Sequence, residues 1–496
     1  MASTEHLKIL AEGLKSVIQW QSMNNNARLD LENADLRGFD LSGYPLQGAN
    51  LSEAILDEVK LVRTNLWKAN LDGASFRNAE LTNAILREAD LTDTDFSGAT
   101  MVEADLRRAS AHHGIANFNN ASIMNADLRG ADLRASSFEN ANLTFSNMWN
   151  ADMRGAYMKN ANLSRVYLGW ASEWNADFKM FDEIGTSANF ANVNFDGANL
   201  SYADLTAANL SYAQLQKTCL DHSNLMKAKL HGIDAIEASF LQANLVGTDL
   251  SESNFAQCDF TRAWLLKTNL YKARLYKPNL DGAVFGQTLL CDIDLTLNEK
   301  VDKTVHLGPS SIDYTTIKNL SLSPNGEAFL ESCGVTRLET FLTDSRIYSQ
   351  HTCLFIYAPE DEYIVDEMSN ILKNNNILSW RLPICSNFGN SILFRQILSL
   401  FDIVFCVFSG HLTKVNNDLL YNIERTIKDY DRNNNYLLVP ILTDDNIFFE
   451  RLSKDFLISN MLDVSNLKND NELLHNGIEE ILKTINQKIC YVGSKG

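Results

Sequence analysis

Large apolar residues recur at every fifth position over more than half of the chain. The series runs without a slip from Leu31 to Leu106 and resumes, after two shifts of register, at Phe118 and Phe190. A small residue, most often alanine, stands two positions before the large one, with a mostly polar residue between them. Neither an α-helix nor a flat strand has a period of five. The pattern therefore predicts a coil in which each pentapeptide forms one side and one corner and points its large and small residues inward.

Two register breaks interrupt this series, at residues 107–117 and 179–189. We expect bulges or small loops that leave the coil at these places. The first break contains His112 and His113, and Trp170 is one of several aromatic residues near the second. Those aromatic side chains either fold back on the coil, which the general burial of apolar groups favours, or form an exposed contact patch for a protein.

The run ADLRGADL at residues 126–133 is typical of the series. It resembles the A(D/N)LXX motif of the pentapeptide-repeat family. The resemblance implies a right-handed quadrilateral β-helix, a mainly β solenoid, over residues 31–295. Because the terminal coils of a solenoid expose apolar faces, residues 1–30, whose apolar positions have helical spacing, are predicted to form an N-terminal helical cap. A partner-binding helix is the alternative for that segment.

The period of five ends after Leu295, and the rest of the chain follows a different pattern. The sequence pattern of residues 296–350 predicts a connector with one or two short helices. Residues 351–490 alternate strand and helix patterns, which predicts an α/β domain with a parallel, flavodoxin-like sheet. Strands are predicted at 353–358, 377–380, 402–408 and 436–442. Helices are predicted near 361–373, 390–400, 415–430 and 471–488.

This C-terminal pattern resembles a diverged TIR (Toll/interleukin-1 receptor-like) domain of the bacterial type. The run LFIYAPED at residues 354–361 resembles the first TIR motif, and FCVFS at residues 405–409 resembles the third strand of that family with its following serine. The resemblance implies association between TIR domains and, for the catalytic members of the family, cleavage of NAD. It marks four residues as cofactor-binding candidates: Tyr357, Asp361, Trp380 and Ser409.

A catalytic TIR domain uses a glutamate on the helix after its third strand, where the carboxylate stabilises the ribose as positive charge develops. When Ile423 is placed on the family's buried leucine, Asn422 occupies the catalytic position. An amide cannot replace the charge of a carboxylate, so this register favours a domain without enzymatic activity. If the alignment is shifted by two residues, Glu424 is the catalytic residue. The other reading of Glu424 is a solvated helix residue paired with Lys428.

Composition and charge narrow the classes of function. The 496 residues carry a net charge of −19, and residues 31–300 hold 34 acidic and 23 basic residues. This acidity argues against direct binding of nucleic acid or anionic lipid. The eight cysteines form no CxxC pair and the histidines match no zinc spacing, so we expect no metal site. No apolar stretch has the length of a membrane span and no secretory signal is evident, so we expect a cytoplasmic protein.

Three functions remain open from the sequence. The favoured one is a scaffold or adaptor that requires no cofactor, in which the pentapeptide rod docks or senses a protein partner and the TIR-like domain mediates association and signalling. The alternative is an enzyme, a TIR NAD glycohydrolase effector, for example in bacterial defence, with Glu424 catalytic and NAD as substrate. A minor alternative is an acidic DNA mimic that inhibits a topoisomerase, although basic residues around Arg274 dilute the acidity of the rod.

Overall fold

The structure is a computed structural model. It describes residues 3–25, 27–168, 187–298, 301–321, 325–335, 352–374, 378–383, 403–408, 437–442 and 462–463. The chain divides into two compact units. The first contains Met1–Val284, Thr288–Thr304 and Ser311–Glu327, and the second contains Phe285–Gln287, Val305–Ser310 and Ala328–Gly496.

Helices α1 (Thr4–Glu12) and α2 (Leu14–Met23) occupy the segment where a helical cap is predicted. The chain turns between them at Gly13, whose φ of 106° is a conformation that suits glycine and strains other residues. Both helices are short, and an isolated helix of this length is marginal in water, so they depend on packing against the rest of the unit.

The packing of the two helices covers the start of the coil. Leu10 and Val17, one from each helix, are buried. The side-chain amide of Gln21 donates a hydrogen bond from Nε2 to the carbonyl oxygen of Pro45 at 2.8 Å. An apolar contact face and a hydrogen bond to the backbone of the first coil are what a solenoid cap needs, because the first coil has no preceding coil to cover it.

The middle of the first unit is a coil of parallel bridges. Each bridged residue pairs with the residue 20 positions further along, as Asp30 does with Asn50, and the spacing departs from 20 only at the two register breaks and beyond residue 289. The described bridges form four columns, which begin at Asp30, Asp35, Asp40 and Pro45. Every column is one side of the coil, and the backbone groups of each coil are satisfied by its neighbours. The predicted four-sided solenoid is confirmed.

Large apolar side chains fill the interior, as the period of five predicts. Four buried phenylalanines form one continuous column: Phe76, Phe96, Phe118 and Phe138. Neighbouring ring centroids in this column lie 5.0, 5.1 and 4.7 Å apart, with the rings stacked. These distances are close to the spacing of hydrogen-bonded strands, so the backbone ladder itself sets the separation of the rings.

Hydroxyl and thiol side chains replace alanine at several of the small inward positions. Thr94 Oγ1 donates to Leu71 O at 2.9 Å, and Thr248 Oγ1 donates to Leu225 O at 2.8 Å, in both cases 23 residues earlier. The same bond is made by Thr64, Ser146, Thr218, Ser253, Cys258, Thr268 and Thr288. A polar side chain is tolerated inside the coil because it bonds a backbone carbonyl of the preceding coil.

The second residue of almost every turn has a positive φ. Asn120, for example, has a φ of 58°. Glycine and asparagine adopt this left-handed backbone at the lowest cost, and both are frequent at this position. At Gly98 a Cβ atom would lie 2.3 Å from Oδ1 of Asn78. A side chain there would have to displace the amide of Asn78, and the φ of 70° at this position also favours glycine.

The two register breaks differ in size. At the first, Ser110 pairs with Asp132, 22 residues away, because two extra residues enlarge one turn. Asp93 Oδ1 accepts a hydrogen bond from the backbone N–H of Ile115 at 2.9 Å and so anchors the enlarged turn. At the second break Asp152 pairs with the residue 37 positions on, at 189. Residues 169–186, with their aromatic side chains, lie outside the described residues.

Short strands follow one another in the last part of the coil and just after it. They are β1 (Trp264–Leu266), β2 (Val284–Gly286), β3 (Leu289–Leu290), β4 (Val305–His306) and β5 (Ser311–Ile312). Strands β3 and β5 pair in parallel, and α3 (Tyr314–Leu320) comes next. Thr316 Oγ1 lies 3.4 Å from Ile293 O, again 23 residues earlier. The coil therefore extends beyond residue 295, where the period of five places its end.

The second unit contains a parallel sheet. Its strands are β6 (Thr352–Tyr357), β7 (Leu378–Pro383), β8 (Ile403–Phe408), β9 (Leu437–Leu442) and β10 (Leu462–Asp463). Among the described residues the order is β10-β9-β8-β6-β7, with all neighbours parallel. The first four strands coincide with the predicted apolar runs, and β10 was not predicted. Helix α4 (Gly326–Ser332) precedes the sheet, and α5 (Glu362–Asn374) follows β6 as predicted. The other predicted helices, near 390–400, 415–430 and 471–488, lie outside the described residues.

Candidate functional sites

One corner of the solenoid carries a column of exposed rings around an arginine. The Arg165 guanidinium carbon lies 5.5 Å from the ring centroid of Phe145 and 5.3 Å from that of Tyr202. The Tyr202 ring stacks in turn on His222, with 4.7 Å between centroids and 6° between planes. All four residues are exposed, Phe145 to 42% and Tyr202 to 54%. We call this group the Arg165 stack.

Carboxylate and guanidinium groups alternate on other edges of the solenoid. Arg129 donates from Nε and Nη2 to the two oxygens of Asp127, at 2.8 and 2.6 Å. The same Asp-x-Arg unit occurs at residues 35–37, 105–107, 132–134 and 152–154. Exposed ion pairs of this kind contribute little to the stability of the fold, because water and salt screen them. They neutralise charge on the surface and hold each arginine in a fixed orientation.

The enlarged turn of the first register break adds a histidine to one of these units. His112 Nδ1 lies 3.0 Å from Oδ2 of Asp132 and 2.7 Å from Nη2 of Arg134. The hydrogen bond from Arg134 is the largest influence on the Asp132 carboxyl and lowers its pKa to about 2, with a further contribution from His112. Since His112 and Arg134 bond the same carboxylate, the surplus residues of the turn contact the surface of the coil.

The candidate NAD residues that the structure describes are buried. Tyr357, Asp361 and Trp380 are 2%, 3% and 7% exposed. Tyr357 is the last residue of β6, and Trp380 lies on the adjacent strand β7. The remaining candidates lie outside the described residues: Ser409, Asn422 and Glu424. Any role of these residues toward NAD stays a prediction.

Contacts of the buried candidates are with the unit itself. The Trp380 indole Nε1 donates to the carbonyl oxygen of Ser332 at 3.4 Å, which links β7 to the end of α4. Desolvation raises the pKa of the Tyr357 phenol, and the charge of Glu362 raises it further. Arg381, next to Trp380 on β7, pairs with Asp366 of α5. These interactions position α4 and α5 against the sheet.

A histidine and a cysteine that sequence reasoning did not single out meet in the second unit. Cys333 Sγ lies 3.6 Å from Nδ1 of His306, whose ring stacks on Phe285 and meets Phe329 edge-on at 4.9 Å. Desolvation lowers the pKa of His306 to about 3 and raises the pKa of the Cys333 thiol. Both groups are therefore neutral at pH 7, and a neutral thiol is a poor nucleophile. The two residues therefore form part of an apolar cluster. No sequence motif predicts their contact.

The family model for pentapeptide repeats matches this chain in eight copies. They cover residues 45–78, 60–98, 74–110, 116–140, 136–172, 188–226, 223–262 and 253–292. The matched segments coincide with the four-sided coil. The chain is a pentapeptide-repeat protein. The predicted fold class is thereby confirmed for this part of the chain, as a β-solenoid of the right-handed quadrilateral type.

Several solved pentapeptide-repeat structures are similar to this pentapeptide-repeat protein. HetL, a protein involved in heterocyst differentiation regulation from the cyanobacterium Nostoc sp. strain PCC 7120, is 26% identical, with a TM-score of 0.24 over 54% of this chain and 95% of that chain. Rfr23 from the cyanobacterium Cyanothece 51142 is 24% identical, with a TM-score of 0.15 over 26% and 86%. Trypsin-treated QnrB1, a plasmid-mediated fluoroquinolone resistance protein, is 14% identical, with a TM-score of 0.22 over 56% and 94%. No curated protein sequence matches the chain.

In the parts of this pentapeptide-repeat protein that the structure describes, no group of three or more His, Cys, Asp or Glu side chains is placed to hold a metal ion. The described helices include none that is long and apolar enough to cross a membrane. The Arg165 stack depends on residues that adjacent coils bring together, whereas each Asp-x-Arg unit forms within one repeat.

The unit around Asp132 gives the pentapeptide-repeat protein a pH-dependent contribution to stability. The folded carboxyl has a pKa of about 2, below the value of about 3.9 in an unfolded chain. The ion pair therefore stabilises the fold fully above about pH 4, and this contribution is lost as the pH falls toward 2. Replacing Asp132 by asparagine is expected to lower the Tm by about 1–2 °C at pH 7, and the difference should shrink below pH 4. Thermal unfolding of both proteins between pH 7 and pH 3 measures it.

The matched variant for this experiment is Asp72→Asn. Asp72 is an exposed solenoid carboxylate with no ion pair among the described residues. Its replacement should leave the Tm unchanged at every pH. A Tm difference for Asp132→Asn that stayed constant down to pH 3 would show that the carboxylate is not held by Arg134 and His112 in solution.

Proposed function

We propose that this protein is a scaffold, which docks a protein partner on the outer faces of its solenoid and associates through a TIR-like module in its second unit. The observation that carries the proposal is the packed interior of the described coils. Leucine and phenylalanine side chains fill the axis, alanine fills the narrow positions, and each inward hydroxyl named above is bonded to a backbone carbonyl. A rod packed in this way acts through its outer surface.

The strand order of the second unit supports the TIR-like part of the proposal. Numbered along the chain from β6 to β10, the described strands lie in the order 2-1-3-4-5, with all neighbours parallel. This is the order of flavodoxin-like doubly wound sheets, the class to which the sequence resemblance points. A module of this kind, with Asn422 in the position of the catalytic glutamate, would retain association between copies and would require no cofactor.

One observation favours the enzyme alternative. In doubly wound sheets ligands bind beyond the carboxyl ends of the strands, at the point where the strand order reverses. Here that point lies between β6 and β8, and Tyr357 is the carboxyl-terminal residue of β6. The burial of Tyr357, Asp361 and Trp380 argues against NAD binding, because none of these side chains has an exposed face for a nucleotide. We therefore place NAD hydrolysis second.

The two functions are separated by one experiment on the purified full chain. NAD consumption and particle size by light scattering are followed together over a range of protein concentrations. The scaffold predicts particles that grow with concentration and no NAD turnover. NAD turnover that is abolished by Glu424→Ala and kept by Asp418→Asn, a neighbouring carboxylate on the same predicted helix, would make the hydrolase the correct function. Particle size that stays constant at all concentrations would contradict self-association through the second unit.

A further inference from the structure

The Arg165 stack occupies positions where the fold has no need of aromatic residues. Phe145, Arg165, Tyr202 and His222 all stand at the second residue of a turn, with φ values of 61°, 58°, 58° and 58°. Asparagine fills the equivalent turn position at Asn125, one coil before Phe145. Many residue types stand at this turn position with a positive φ elsewhere in the solenoid, and bulky aromatic residues are among the least suited to it. The choice of residues at this corner therefore calls for a reason other than the fold.

The stacking contacts of these rings offset only part of the unfavourable free energy of placing bulky residues at a positive φ. A cation–π contact at an exposed site is a weak interaction, and the rings of Phe145 and Tyr202 remain about half exposed. Tyrosine and arginine are the residue types that dominate the energy of protein interfaces, and large exposed apolar groups are typical of contact sites. The composition of the stack is that of an interface centre.

Arg165 is oriented without being neutralised. Most arginines on the neighbouring edges, such as Arg129, donate to a carboxylate of their own repeat. Among the described residues Arg165 makes no ion pair, and its guanidinium is held by Phe145 and Tyr202 instead. The two rings belong to the preceding and the following coil, and among the described residues the guanidinium donates no hydrogen bond, so its N–H donors remain available. A carboxylate is the partner that such a planar fork binds best in a protein.

Of the two sides of the solenoid that meet at the stack, the one that precedes it in each coil does not oppose an anion, whereas the one that follows carries Asp204, whose carboxylate accepts two hydrogen bonds from Thr206. The bridged residues on the preceding side are uncharged over seven successive coils: Thr100, Ser122, Asn142, Asn162, Asn199, Cys219 and Ser239. Asp221, which precedes His222 in its turn, accepts a hydrogen bond from Ser239. An acidic segment that approaches across the preceding side therefore meets amides, hydroxyls and a thiol before it reaches the guanidinium of Arg165.

We propose that the Arg165 stack binds a carboxylate in an acidic segment of a protein partner. The inference rests on the docking function proposed above and gives it a site. A protein segment is favoured over nucleic acid because residues 31–300 carry 34 acidic against 23 basic residues, which repels a long polyanion. The stack offers one guanidinium that has no ion pair within the described part of the chain, which suits an isolated carboxylate better than a row of phosphates.

The test uses the full chain and a fluorescein-labelled peptide of eight glutamates, with binding followed by fluorescence anisotropy. Arg165→Gln is expected to weaken binding by about tenfold or more, since it removes a charge-assisted, bidentate contact. Phe145→Asn and Tyr202→Asn should also weaken binding. Their Tm should stay level or rise, because asparagine suits a positive φ better than an aromatic residue does. A loss of binding without a loss of stability distinguishes a recognition role from a structural one.

Arg63→Gln is the matched control variant. Arg63 is exposed and has a φ of 56° at the same corner of an earlier coil, and in the described structure no ring covers it. Its replacement should leave binding unchanged. Equal losses for Arg63→Gln and Arg165→Gln would overturn the site while leaving docking on the solenoid intact. The proposal of an acidic protein partner would be overturned if the wild-type protein showed no binding of the peptide. It would also be overturned if single-stranded polythymidine bound more tightly than the peptide and this binding required Arg165. Self-association measured by light scattering judges the scaffold independently of these results.

Discussion

Replacing Phe118 by alanine is expected to lower the free energy of unfolding by about 3–5 kcal/mol. The Phe118 ring is fully buried between Phe96 and Phe138, with centroids 5.1 and 4.7 Å away. Its loss would leave a cavity that the neighbouring rings cannot fill, because the parallel bridges of each coil fix the distance between coils. The cost should therefore lie at the upper end of the range for a buried aromatic residue. Urea unfolding followed by far-ultraviolet circular dichroism measures it.

Phe145→Ala is the control variant for this experiment. Phe145 is a phenylalanine of the same solenoid, but its ring is 42% exposed at a turn. Its replacement removes little buried area, so the free energy of unfolding should change by less than about 1 kcal/mol. Similar losses for the two variants would mean that the interior column does not hold the coils together.

The interior of the solenoid could be predicted because its geometry repeats. Every side of a square coil needs one large and one small inward residue, so the period of five reports directly on burial. Residues chosen by that period, such as Leu71, Leu81 and Leu86, have no exposed surface. The same holds for the first strands of the second unit, where apolar runs mark strands covered on both faces. Local patterns of this kind need no knowledge of distant contacts.

The second register break shows where the periodic signal misleads. Across it the bridge partners lie 37 residues apart in place of 20, a difference of 17 residues. Seventeen is three pentapeptides and two residues, and a count in fives therefore registers only a shift of two. Phe178, which the count in fives includes in the series, lies outside the described residues. A count in fives detects a shift of register, but it cannot detect an insertion whose length is a multiple of five.

Surface sites and hydroxyl bonds escaped sequence reasoning for a different reason. Arg165 and Tyr202 are 37 residues apart in the chain and meet only because coils stack. Thr94 bonds a carbonyl 23 residues earlier, a spacing that can be recognised only when the length of a coil is known. With that length in hand, exposed aromatic residues recurring at the second turn position of one corner would have been the signal for the Arg165 stack.

Replacing Ala228 by leucine is expected to cost about 3 kcal/mol, the upper end of the range for overpacking. Ala228 is a small inward residue, 1% exposed, and lies between Ala208 and Thr248 of the adjacent coils, which are both buried. A leucine there must displace either its own backbone or the large residues at the axis, and the bridges on both sides resist the first. The loss should appear as a lower urea midpoint and as faster cleavage by protease at low denaturant.

Ala228→Thr separates polarity from size. A threonine at this position can donate its hydroxyl to Leu205 O, 23 residues earlier, as Thr248 does to Leu225 O. The free energy of unfolding should then change by less than about 1 kcal/mol, because the added polar atom is satisfied. If leucine were tolerated and threonine were not, the small inward positions would be selected for their apolar character. The opposite order, which we expect, means that the space beside the axis limits the residue and that polarity there is harmless once a carbonyl of the preceding coil is within reach.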